Sequence, residues 1–149
     1  GHVHDPGTAM LGGVCGHAGI FSNANDLAKV MQMYLNGGNY GGRRYFKDST
    51  IERFTHSPFR EENGNRRALG FDKPVMEPDQ PGPTCDGISE TSFGHTGFTG
   101  TMAWADPEEQ VVYIFLSNRV HPDQDNLELV TSDVRTRIQQ VLYQSIDAY

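Results

Sequence analysis

Apolar residues recur at three- and four-residue spacing in "SNANDLAKVMQMYLNGG", where Leu27, Val30, Met31, Tyr34 and Leu35 fall on one face. The spacing predicts a helix over about Ala24 to Asn36, with Ser22 or Asn23 as its N-cap and Gly37 as its stop. "FKDSTIERFTHSP" predicts a second, shorter helix, with Asp48 near the cap and Pro58 beyond the end. Residues 57–91 are polar and rich in proline, glycine and asparagine, and only "ALGFD" among them has the composition of a short strand. "TSFGHT", "GTMAWAD" and "QVVYIFLS" then predict three strands, the last two joined by a turn at Asp106-Pro107-Glu108-Glu109. Because residues 111–116 are all apolar, that strand should be covered on both faces and lie centrally in its sheet. The final segment aligns Leu127, Val130, Val134, Ile138, Val141, Leu142 and Ile146 in one helical stripe, the pattern of core packing.

These elements outline an α+β domain, with an antiparallel sheet of about three strands flanked by helices. With 149 residues, the chain suffices for one domain or a piece of one. A net charge of −7, with nine arginines and three lysines scattered along the chain, argues against a polyanion-binding surface, so nucleic acid is not expected as a partner. No run reaches the roughly eighteen apolar residues of a membrane span, and the N-terminus lacks a basic-then-apolar signal pattern. Cys15 and Cys85 form no C-x-x-C pair and read as buried free thiols.

Candidate chemistry is sparse. His2, His4 and Asp5 at the N-terminus suggest a metal-dependent hydrolase, but no H-E-x-x-H or cysteine cluster supplies further ligands, and a structural role is favoured for them and for His17. Tyr34-x-Asn36 falls at the end of the first helix, where tyrosine packs and asparagine terminates. No G-x-S-x-G occurs, and the residues three before Lys29, Lys47 and Lys73 are Asp26, Arg44 and Gly70, so no serine-x-x-lysine nucleophile is present. His95-Thr96-Gly97 remains. At the end of a strand facing a cleft, a proton-sharing side chain, a hydroxyl and a glycine permitting close approach make a substrate-binding wall; a plain hairpin turn is the alternative.

Three stretches together carry a resemblance: "GHVHDPGTAMLGGVCGHAGIFSNANDLAKVMQMYLNGG", "SFGHTGFTG" and "MAWADPEEQVVYIFLSNRV". In order and spacing they resemble the serine β-lactamase and penicillin-binding-protein-like hydrolases, in the class C β-lactamase, DD-peptidase and esterase branch. The resemblance implies that residues 1–149 form a single partial domain, the C-terminal part of a β-lactamase-like α/β sandwich. It implies that His95 is catalytic, that His95, Thr96, Gly97 and Phe98 bind substrate, and that the Phe98 N–H contributes to an oxyanion hole. Histidine at the first position of that motif favours peptidase or esterase chemistry. No cofactor or metal is implied.

The family's serine-x-x-lysine and tyrosine-x-asparagine motifs lie upstream of the region matched here, so this chain alone should be inactive. The "VHD" and "GHAG" variants are most similar to a Bacteroides-type branch, in which the domain is sometimes fused to a β-N-acetylglucosaminidase. That implies a periplasmic or extracytoplasmic setting and a small-molecule or peptidoglycan-peptide substrate. In the family the last strand pairs with a first strand that this chain does not contain. The resemblance thus implies an open edge at Val111 to Leu116 and an apolar patch on the closing helix, both favouring self-association. A second reading, from another class, is a non-catalytic cell-wall-binding or scaffolding module of a larger glycosidase.

Overall fold

The computed structural model describes residues 1–77 and 80–146. Eleven elements occur in them: α1 (Pro6–Met10), α2 (Ala24–Leu35), β1 (Asn39–Tyr40), β2 (Arg43–Arg44), α3 (Asp48–Thr55), α4 (Arg60–Asn63), β3 (Phe93–Thr96), β4 (Met102–Asp106), β5 (Val111–Phe115), α5 (Glu128–Thr131) and α6 (Val134–Ile146). The fold is α+β, as the sequence predicts. Asn23 caps α2 by accepting from the Asp26 N–H at 3.0 Å, and the chain turns out of the helix at Gly37, whose φ is 59°. Asp48 begins α3 instead of capping it, and its carboxylate pairs with Arg44 at 3.2 Å. The β1–β2 hairpin escapes a periodicity reading because it has only two residues a side; Gly41 and Gly42, both at positive φ, form its turn.

Strands β3, β4 and β5 form an antiparallel sheet in that order, with Trp104 opposite Gly94 on one side and Tyr113 on the other. Alternation along β4 divides the core. Met102 and Trp104 pack with Cys85, Ile88 and the α6 residue Tyr143, whereas Ala105 packs with Phe93 and the α2 residue Met31. The sheet is therefore a middle layer between α2 and α6. Gly94 is required where β3 crosses Trp104, because a Cβ there would collide with the indole ring and the Ala103 carbonyl. The expected strand at "ALGFD" is reduced to a single bridge, Asp72 to Gly94, on the outer side of β3.

Two expectations are corrected. Val112 and Ile114 of β5 face the α2 layer, and Tyr113 and Phe115 face the α6 layer, yet among the described residues β5 pairs with β4 alone. Its unbroken apolar run thus reports two covered faces, not a central position. The closing stripe is likewise not core. A left-handed residue, Asp133 at φ 53°, divides it into α5 and α6, and α6 buries Thr136, Gln139 and Tyr143 while Ile138 and Val141 are exposed. Polar anchoring decides which face turns inward: Gln139 accepts from the Cys85 N–H at 3.0 Å, and the Tyr143 hydroxyl donates to Asp106 at 2.7 Å.

Candidate functional site

The loop after β3 is built by glycine. The Gly97 N–H donates to the Thr101 carbonyl at 2.8 Å and the Gly100 N–H to the Gly97 carbonyl at 2.9 Å, closing a tight turn in which Gly100 adopts φ 95°. A Cβ at Gly97 would collide with the Thr101 hydroxyl. Phe98 stands exposed at the tip. His4 stacks on its ring at 5.5 Å and 7° between planes, and the Arg119 guanidinium lies 4.5 Å from its centroid. Arg119 also donates from Nε to the Phe98 carbonyl at 2.8 Å. Among the described residues the Phe98 N–H has no protein acceptor.

His95 is exposed on β3. Its Nε2 lies 2.8 Å from Arg67 Nη1, and its Nδ1 lies 2.7 Å from the Thr96 carbonyl. A guanidinium only donates, so Nε2 is the acceptor and the ring proton sits on Nδ1, donating to Thr96. Arg67 is held in turn by Asp72, 3.3 Å away, whose buried carboxylate also binds Arg66 at 3.0 Å. The cation beside His95 is therefore delivered by the polar 57–91 connection.

The N-terminal segment forms the opposite wall. Asp5 caps α1 by accepting from the Thr8 N–H at 2.6 Å and lies 3.0 Å from His17 Nε2; His17 Nδ1 lies 3.2 Å from Cys15 Sγ. The Thr8 and His17 hydrogen bonds hold the Asp5 carboxyl down at about 2. The bond to Asp5, with the negative character of Cys15 and Asp5, raises the His17 imidazole above its ordinary value. The His17 and Gly16 backbone N–H groups and the adjacent imidazole lower the Cys15 thiol. This cluster escaped the sequence reading. Its one signal was a cysteine two residues before a histidine in a glycine-rich turn, and Cys15 is half-exposed, not buried as expected.

The two walls enclose a cavity of about 690 Å³, lined by Val3, His4, Cys15, His17, Gly97 and Phe98 among others. The structure thus brings Gly97 and Phe98 together with the N-terminal loop, whereas His95 and Thr96 lie outside the lining. His2 lies against Gly13 and His4 against Phe98, so the two do not converge with Asp5. Among the described residues, no group of three or more histidine, cysteine or acidic side chains is arranged to hold a metal ion. Tyr34 packs edge-on against Phe71 and Phe93, which is the packing role its position predicts. A second cavity, of about 650 Å³, is lined by Arg60, Lys73, Glu90 and Glu108. There burial and the neighbouring Arg60 lower Lys73 to about 8, while its Nζ donates to the Thr91 carbonyl at 2.8 Å.

A family model described as Beta-lactamase matches residues 1–135. A Salmonella enteritidis protein provisionally named a D-alanyl-D-alanine carboxypeptidase is 40% identical over 124 residues, covering 81% of this chain and 27% of its own. A Salmonella gallinarum protein with the same provisional name is 37% identical over 123 residues, again 81% and 27% of the two chains. The chain therefore spans about a quarter of the length of these relatives. A solved Bacteroides dorei structure, provisionally described as a β-lactamase, superposes with a TM-score of 0.44 at 13% identity, covering 89% of this chain and 49% of that one.

Proposed function

Since this chain belongs to the Beta-lactamase family, we propose that it is the C-terminal part of a serine hydrolase domain, residues 1–149 being one partial domain. The intact protein would act on D-alanyl peptide, β-lactam or ester bonds in cell-wall metabolism outside the cytoplasm. The observation that carries this reading is the 690 Å³ cavity that joins the glycine loop after β3 to the N-terminal loop and contains Phe98. An uncommitted N–H beside such a cavity suits a developing oxyanion. The provisional names of the Salmonella relatives support the peptidase choice within the family.

In this reading a serine supplied by preceding sequence attacks the carbonyl, and a lysine and a tyrosine from that sequence handle its proton. The Phe98 N–H receives the oxyanion, and Gly97 lets substrate approach the backbone closely. His95 and Thr96 bind the substrate's carboxylate side, with His95 sharing the proton work. No metal or cofactor takes part. Fusion to a β-N-acetylglucosaminidase would place the substrate among peptidoglycan fragments.

Labelling with fluorescent penicillin and a fluorophosphonate, read by intact mass, tests the proposal. The product of the whole gene should take up one adduct and the 149-residue chain none. An adduct on a serine of this chain would show that it contains its own nucleophile. No adduct on either protein would favour the non-catalytic binding module.

The partial-domain reading also assigns a use to exposed apolar surface. The edge of β5 that is unpaired among the described residues, and the α6 residues Ile138 and Val141, would meet preceding sequence in the intact protein, and a second copy in the isolated chain. Sedimentation of the isolated chain should show concentration-dependent self-association that the whole gene product lacks. Equal behaviour of the two proteins would remove this assignment.

A further inference from the structure

Cys15, His17 and Asp5 form a connected series that the hydrolase reading does not use. The Cys15 sulfur meets His17 Nδ1 at 3.2 Å, and the other ring nitrogen meets Asp5 Oδ1 at 3.0 Å. The hydrogen bond from the Cys15 N–H to the Ala18 carbonyl, at 3.2 Å, holds residues 15–18 in a tight turn that sets the thiol and imidazole on the same side. Asp5 is fixed independently as the cap of α1, so the imidazole is oriented from its far side. This is a nucleophile, a base and a carboxylate that positions the base.

The surroundings distinguish Cys15 from a packed thiol. Cys15 is half-exposed, and it lines the 690 Å³ cavity, whose wall includes the apolar Val3, Ile20 and Phe98. Besides Asp5 and His17, the titratable side chain lining that cavity is His4, which stacks on Phe98. Cys85 offers an internal contrast: it is buried in the core against Trp104 and Tyr143, and burial pushes its thiol up to about 12.

We propose that Cys15 is a covalent modification site: its thiol, hydrogen-bonded to His17, gives up its proton to the imidazole and exchanges with small organic disulfides, leaving a mixed disulfide in the cavity beside Phe98. In that step the thiolate attacks one sulfur of the disulfide R–S–S–R, and a new S–S bond forms to Cys15. The original S–S bond breaks, and the departing thiolate RS⁻ carries away the electron pair and takes a proton from solvent. The organic group R is accommodated by the apolar wall, and the adduct fills space shared with Gly97 and Phe98. The site requires nothing of His95 or of any upstream nucleophile.

The test is reaction of the native chain with 5,5′-dithiobis(2-nitrobenzoic acid), following thionitrobenzoate release against pH and locating the adduct by peptide mass. One equivalent should add at Cys15 with Cys85 untouched, and at pH 6 the reaction should be about tenfold or more faster than that of free cysteine. His17→Gln should move the midpoint of the pH profile back toward that of free cysteine, and Cys15→Ser should abolish the fast phase. The profile of the unaltered protein is decisive even if a variant does not fold. A midpoint equal to that of free cysteine, or a first adduct on Cys85, would overturn the proposal.

Discussion

Asp106→Ala should lower the unfolding free energy by about 3–5 kcal/mol, read as a fall in the urea midpoint at pH 7. Asp106 is 1% exposed at the end of β4 and gathers three parts of the fold. Its carboxylate accepts from the Glu108 and Glu109 N–H groups at 3.0 and 3.3 Å, which shapes the turn into β5. It also accepts from the Ser89 N–H at 3.1 Å, from the Ser89 hydroxyl, and from the Tyr143 hydroxyl of α6 at 2.7 Å. Alanine would leave these donors in a site water reaches poorly, and each unmet donor is costly. Burial pushes the Asp106 carboxyl up, but the Ser89 and Tyr143 bonds and the turn N–H groups outweigh it, so the folded-state value lies below the unfolded one. The stabilisation is therefore fully present above the unfolded value, about 3.9, and is lost as pH falls through the folded value. In the Asp106→Ala variant, unfolding free energy should depend less on pH across that acid range. An unchanged urea midpoint would show that the five donors find water instead.

How much of this was legible in the sequence follows from where each element draws its stability. α2 was read to within a residue because its cap, its apolar stripe and its glycine stop are all local. The three strands were read because their apolar, strand-prone composition and the Asp-Pro-Glu-Glu turn are local as well. α6 misled because its inward face is chosen by two distant partners, the Cys85 N–H and the Asp106 carboxylate, each more than 35 residues away along the chain. Such anchors leave no trace in a hydrophobic periodicity. The site divides the same way. Gly97 and Phe98 stood out as a glycine-punctuated turn, whereas Arg67 reaches His95 from a stretch 28 residues upstream that reads only as polar loop. The Cys15 cluster was hidden for a related reason: Asp5 and His17 are brought together by the short turn of α1 and the loop after it.

In the whole gene product, on the proposed hydrolase reading, His95→Ala should lower kcat/KM by about 10²-fold, the range expected for losing a group that shares proton transfer. The geometry adds a second, separable expectation. His95 Nε2 accepts from Arg67, which brings a permanent positive charge to the same place. Charge recognition and proton sharing then belong to different side chains. Arg67→Ala should raise KM for substrates ending in a carboxylate while leaving turnover of a neutral ester nearly unchanged, because the ester offers the guanidinium no anion to bind. His95→Ala should instead depress kcat for both substrate types. The bond between the two side chains makes their effects interdependent, so the double variant should lose less than the product of the single losses. If His95→Ala leaves kcat/KM intact for both substrates, the imidazole is a hydrogen-bonding strand residue that orients Arg67, and the proton work lies wholly with the upstream lysine and tyrosine.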